Sequence, residues 1–134
     1  MKNSPYILAV LALAVVLPVV SGHADDPKAT LKGLMLKKLE NSQKVLEGIA
    51  LNDFDKVSKH ADDLIRISKA TEFKVLKTPQ YEMYSNEFRR TAETMIQEAK
   101  AKNLDGAALA YVELTLTCVK CHKHVREVRM AFRD

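Results

Sequence analysis

Cys118-Val119-Lys120-Cys121-His122 is the stretch of this sequence whose residue types and spacing carry specific chemistry. Two thiols three residues apart, followed at once by an imidazole, make a C-x-x-C-H pentapeptide, the attachment signature of a c-type haem. The spacing has a physical reason. On a helix the two sulfurs lie one turn apart on one face, and His122 stands four residues from Cys118 on the same stripe. Both thiols can then add to the vinyl groups along one porphyrin edge while the imidazole turns in to bind the iron. Cys118 and Cys121 are thereby expected to hold one haem c covalently, with His122 as the proximal iron ligand.

Three other uses of these residues fit less well. A Cys118–Cys121 disulfide would need an awkward i,i+3 geometry within a helix. A thioredoxin-type redox pair wants a βαβ setting, and no strand pattern is present. A structural zinc site would call for more thiols than the 2 cysteines of the chain.

A sixth iron ligand would have to come from upstream, because only 12 residues follow His122. Met130, eight residues on, lies about 12 Å along the same helix and cannot reach the far side of the ring. His124 points away from the His122 stripe. Met35, Met83, Met95 and His60 are the candidates. Met35 sits in the middle of an apolar stripe, as a distal ligand or as core packing. Met95 continues a regular apolar face and reads as core. Met83 falls near a helix start, and His60, among Lys59, Asp62 and Asp63, reads as surface. Arg126 and Arg129 share the His122 face and can pair with haem propionates. They read equally well as solvated side chains near a helix end.

The chain that must position these groups has 134 residues, 47% hydrophobic and 28% charged, with 4 Gly and 4 Pro. That length suits one domain, or one domain with a targeting segment. The charged fraction excludes a polytopic membrane protein, and the hydrophobic fraction excludes a disordered chain. Scarce Gly and Pro argue against a turn-rich β-sandwich or barrel. With 6% aromatics and no Trp, the centre is aliphatic or filled by something other than amino acids, bulk that a haem would supply.

Residues 1–24 read as a signal peptide. Lys2 stands in a short polar start, Ile7–Val20 is an apolar run of 14 residues, and Gly22 and Ala24 supply small residues at −3 and −1. The run is shorter than the roughly 20 residues of a membrane-spanning helix, so no stable span is expected after processing. An uncleaved anchor is the alternative. The mature domain is then 25–134 and periplasmic, and haem attachment of this kind also takes place outside the cytoplasm. Lys2 is the one charged residue removed, leaving 20 basic and 17 acidic side chains, a net of +3. Charges of both signs alternate with no basic block, so nucleic acid is not an expected partner.

Four segments carry helical periodicity. Asp26-Pro27 starts the first, whose stripe Leu31, Met35, Leu39, Ser42, Leu46 and Ile49 runs to about residue 50. Asn52 or Asp53 caps the second, with Phe54, Val57, Ala61, Leu64 and Ile65 or Ser68 inside and an end near Leu76. Thr78-Pro79 interrupts the pattern, and the third begins between Pro79 and Ser85, with Phe88, Ala92, Met95 and Ala99 inward. After a turn at 103–106, where Asp105 is available as a cap, the fourth carries the C-x-x-C-H motif. Four amphipathic helices with short connections predict an all-α, antiparallel up-down-up-down four-helix bundle.

The sequence at this point resembles the cytochrome c′ family, the class II c-type cytochromes, over essentially 27–134. The resemblance rests on an exported four-helix chain with C-x-x-C-H in its last helix. Asn52-Asp53-Phe54-Asp55 is similar to the opening of the family's second helix. Val125-Arg126 resembles the aromatic-plus-basic pair that follows the family's motif, with Val in place of the aromatic. The tail Lys123–Asp134 is longer than the family's usual ending. The resemblance implies that Leu34 or Met35 faces the distal side of the haem. An apolar residue there implies five-coordinate iron that binds NO or CO, and Met implies six-coordinate iron suited to electron transfer. Homodimers through the first two helices are also implied.

The expectation is therefore an exported mono-haem electron carrier, not an enzyme, that serves redox partner proteins and has Met35 as distal ligand. The alternative is a gas-binding haem protein whose distal face is closed by Leu34 or other aliphatic side chains. A peroxidase would lack a distal acid–base pair.

Overall fold

A computed structural model describes residues 27–70 and 76–132, and the expected signal peptide at 1–24 lies outside them. The described residues form four α-helices and no strand: α1 (Pro27–Ala50), α2 (Phe54–Ser68), α3 (Pro79–Lys100) and α4 (Leu104–Ala131). None of these helices is long and apolar enough to cross a membrane.

The starts of α2, α3 and α4 are each fixed by a side-chain cap, whereas the Asp26 expected to cap α1 lies outside the described residues. Asp53 accepts from the Lys56 amide at 2.9 Å and Thr78 from the Tyr81 amide at 3.2 Å, with Pro79 at the first helical position. Asn103 caps α4, accepting from the Gly106 amide at 3.1 Å, while Asp105 sits in the first turn rather than at the cap. At that position its carboxylate still complements the positive end of the helix.

The α1–α2 and α3–α4 joints are built alike. Asn52 and Lys102 each adopt a left-handed backbone, with φ of 56° and 55°. In the first joint the Asp53 amide donates to Gly48 O at 2.8 Å and the Asn52 amide to Ile49 O at 3.2 Å. In the second, the Asn103 amide donates to Glu98 O at 2.9 Å and the Lys102 amide to Ala99 O at 3.0 Å. Both are Schellman closures followed directly by an N-cap, so three residues turn one helix into the next. Gly48 permits the first turn. A Cβ there would stand 2.9 Å from Val57 Cγ2 and 3.1 Å from the Asp53 carbonyl.

The core draws on all four helices, with Val45, Leu64, Met95 and Leu114 fully buried at its centre. Each contributes about 1.5–3 kcal/mol by leaving water. The expected inner faces of α2 and α3 are the buried ones, except that Phe54 is only partly buried against the core. The face of α1 differs from the expectation. Val45 is buried, whereas Leu39 and Leu46 are 55% and 49% exposed. Apolar residues surround much of α1, so periodicity leaves its rotation open, and contact with α2 decides it. Asn41 meets His60 and Glu47 meets Lys56 across that interface.

α2 is also shorter than expected, ending at Ser68 rather than near Leu76. The Ser68 hydroxyl turns back to Ile65 O at 2.8 Å, and the Lys69 amide closes on Ile65 O and Arg66 O. α3 and α4 are tied where Glu87 receives Thr117 Oγ1 at 3.2 Å and Lys120 Nζ at 3.3 Å. α1 and α4 meet more sparsely, through Ser42 Oγ and Tyr111 Oη at 3.3 Å. The gap left beside that contact is the site.

Candidate haem-binding site

Two adjoining cavities of about 180 and 450 Å³ open between α1, α3 and α4 and share Met35, Lys38, Phe88, Cys118 and His122. Cys121 lines the smaller one. The three motif residues therefore face a common space with Met35 on the opposite wall. Their supports are local. Thr117, just before the motif, is held by Glu87 and by the Glu113 carbonyl. Two residues beyond His122, His124 Nε2 lies 2.9 Å from Thr78 Oγ1, and its ring meets Tyr84 edge-on. These two anchors bracket Cys118–His122 along α4.

Both cysteines are free thiols and half-buried. Burial pushes each thiol above its ordinary range, and the Lys38 charge draws each back toward the thiolate. Burial lowers the His122 pKa, and the Lys38 and Arg126 charges act in the same direction. Its imidazole is thus mainly neutral at pH 7, the form whose nitrogen lone pair binds a metal.

The donor set fits a covalently held haem. Two thiols, a neutral imidazole, a thioether on the facing helix and the Phe88 and Leu31 walls are what such a group uses. The partly exposed Leu36 and Leu39 line the larger cavity, so a flat apolar group there would cover part of their surface.

The remaining expected residues divide. Leu34 lines neither cavity, whereas Met35 lines both. Met95 is fully buried in the core and Met83 is 48% exposed, away from both cavities. His60 is not on the open surface: it is half-buried at the α1–α2 interface, 2.8 Å from Asn41 Oδ1. Arg126 is exposed and lines neither cavity, while Arg129, one turn farther on, lines the smaller one. Among the basic groups, Lys38 and Arg129 thus line the smaller cavity, and Lys32 and Lys38 the larger one.

Lys38 was not legible as a site residue from composition or motif. Its signal is its spacing, three residues after Met35 and so on the same helical stripe. Tyr81, Tyr84 and Thr117 also line the site without belonging to any motif. Comparisons with protein-family models, with curated proteins and with solved structures gave no match.

Proposed function

We propose that this chain is an exported mono-haem c-type cytochrome that carries electrons, an antiparallel up-down-up-down bundle of the cytochrome c′ kind. The observation that carries the proposal is the convergence of Cys118, Cys121, His122 and Met35 on one space between α1 and α4. Cys118 and Cys121 would hold the haem through thioether bonds, with His122 on the iron and Met35 facing it from α1. A bound haem supplies one-electron redox chemistry, with a potential set by axial ligands, burial and nearby charge. The chain's part is to exclude water with Phe88 and Leu31, to keep His122 neutral, and to offer Lys38 and Arg129 to the propionates.

Met35 rather than Leu34 on the cavity wall favours the six-coordinate electron carrier over the gas-binding reading. The test is the absorption spectrum of protein exported alongside working haem-attachment machinery, ferric and ferrous, with and without CO. A low-spin ferrous spectrum with little CO response is expected. Met35→Leu should turn it high-spin and CO-responsive. A wild-type spectrum already high-spin and shifting with CO would move the assignment to gas binding. Protein without covalent haem would overturn both.

A further inference from the structure

A third cavity, of about 660 Å³, opens between the end of α2 and the start of α3. Ser68, Tyr81 and Ser85 line both it and the smaller cavity at the motif, so this mouth adjoins the site directly. Lys69, Lys77 and Arg89 stand around it, against the single carboxylate of Glu82 among the lining residues.

The surplus of positive charge is regional. In the parts of the helices that meet at the motif, at 30–40, 60–70, 76–90 and 118–132, basic side chains outnumber acidic ones two to one. At 41–59 and 91–117 acidic side chains are the more numerous. Residues 71–75 add one charge of each sign. Most carboxylates of the motif end are already paired: Asp62 and Asp63 with Arg66, Glu87 with Lys120 and Glu127 with Lys123. Lys69 and Lys77 are exposed and have no carboxylate partner among the described residues, and Arg89 bonds to Asn86. None of the three lines either cavity at the motif, so a bound haem, met by Lys38 and Arg129, leaves their charge uncompensated.

Such a cluster attracts an anionic surface and speeds encounter with it. A membrane-binding face of this sign also carries apolar side chains that insert below the headgroups. None of the large apolar residues lining this mouth is exposed, and Met83 beside it is a single side chain. A protein surface with fixed carboxylates needs no such wedge. We propose that Lys69, Lys77 and Arg89 form a docking rim for an acidic protein surface, seated over the α2–α3 mouth of the site. That this partner is a redox protein rests on the proposed function; that its docking surface is acidic does not.

The experiment is the binding of a fluorescent oligoglutamate peptide, standing in for the acidic surface, to the purified haem-loaded protein by anisotropy. Binding should weaken by about tenfold or more as ionic strength rises from about 0.01 to 0.1 M and the Debye length falls from ~30 to ~10 Å. At the higher salt, Lys69→Glu/Lys77→Glu should weaken it by about tenfold again. Lys100→Glu/Lys102→Glu makes the same change of net charge at the α3–α4 joint and should weaken it by less than about threefold. If charge reversal lowers helical content by circular dichroism, Lys69→Gln/Lys77→Gln gives the same reading with a smaller effect. No binding would overturn the proposal, as would equal losses in the two reversal variants, because net charge alone would then account for them. Displacement of the peptide by inorganic phosphate at constant ionic strength would make the rim a small-anion site. Binding to phosphatidylglycerol vesicles but not to the peptide would give it to a membrane. Either outcome also overturns the proposal. Protein without covalent haem overturns the proposed function alone, since peptide binding can still be read on it.

Discussion

The Lys38 ammonium lies 3.5 Å from the centre of the Phe88 ring, within the cavity that Cys118 and Cys121 also line. The ring face attracts the cation, yet burial is the largest influence on Lys38 and lowers its pKa below the ordinary 10.5. Desolvation therefore outweighs the opposing pull of the two thiols, and the Arg89 charge acts in the same direction as burial. Holding this charge here costs folding energy, and its position beside the motif ties that cost to the site.

Lys38→Met keeps the length of the side chain and removes the charge. In protein made without haem attachment, it should raise unfolding free energy by about 1 kcal/mol in urea titrations at pH 7. The pH dependence has a definite sign. Between the lowered native pKa and 10.5 the native wild type binds fewer protons than the unfolded chain, so this group makes stability rise with pH. The advantage of Lys38→Met should accordingly shrink as pH rises through that interval. A constant advantage would remove the buried charge as the cause.

Lys102 holds a left-handed backbone that a side chain with a Cβ disfavours. Lys102→Gly should stabilise the chain by about 1 kcal/mol, and Asn52→Gly by less, because Asn tolerates this conformation. Gly48→Ala should act the other way, by about 1–3 kcal/mol, since its Cβ would press on Val57 and the Asp53 carbonyl. Paired thermal melts of the three variants check the ordering.

Leu114 is fully buried between the core and the motif-bearing turn of α4. Leu114→Ala should cost about 2–5 kcal/mol in chemical denaturation. Leu116→Ala, two residues on and exposed, should change monomer stability by less than about 0.5 kcal/mol.

Glu47 accepts from Lys56 Nζ at 2.8 Å and Lys44 Nζ at 3.2 Å, and these hydrogen bonds lower its pKa below the usual 4.5. A depressed carboxyl pKa stabilises the fold above the unfolded value, and that contribution is lost as pH falls through the folded value. Thermal midpoints should therefore drop less steeply below pH 4.5 in Glu47→Gln than in the wild type.

The fold and the motif were legible in the sequence to different depths. Phe88, Ala92, Met95 and Ala99 repeat cleanly enough to identify the buried side of α3, and Thr78-Pro79 marks its start by cap chemistry. α1 was harder, because Leu36, Leu39 and Leu46 make a second apolar stripe that competes with the inner one. Its rotation depends on α2, through pairs such as Asn41–His60 that no local pattern encodes. The motif residues announce themselves by spacing. Lys38 does not, because a lysine on an apolar stripe has the same sequence appearance whether its amine reaches solvent or turns inward. Arg129 and Arg126 differ by one turn, and only the packing of α4 against its neighbours selects the one that reaches the cavity.

The twin three-residue joints have a consequence for the order of folding. Each closes a helix hairpin from neighbours in sequence, so α1–α2 and α3–α4 can form at small loop-closure cost. Bringing α1 onto α4 requires the longest excursion of the chain and is rewarded by the sparsest of the contacts between neighbouring helices. The wall carrying Met35 and the wall carrying Cys118 and Cys121 should thus come together last. Until they do, the sulfurs remain reachable to any group that must be joined to them, and afterwards the closing of α1 shields what has been joined.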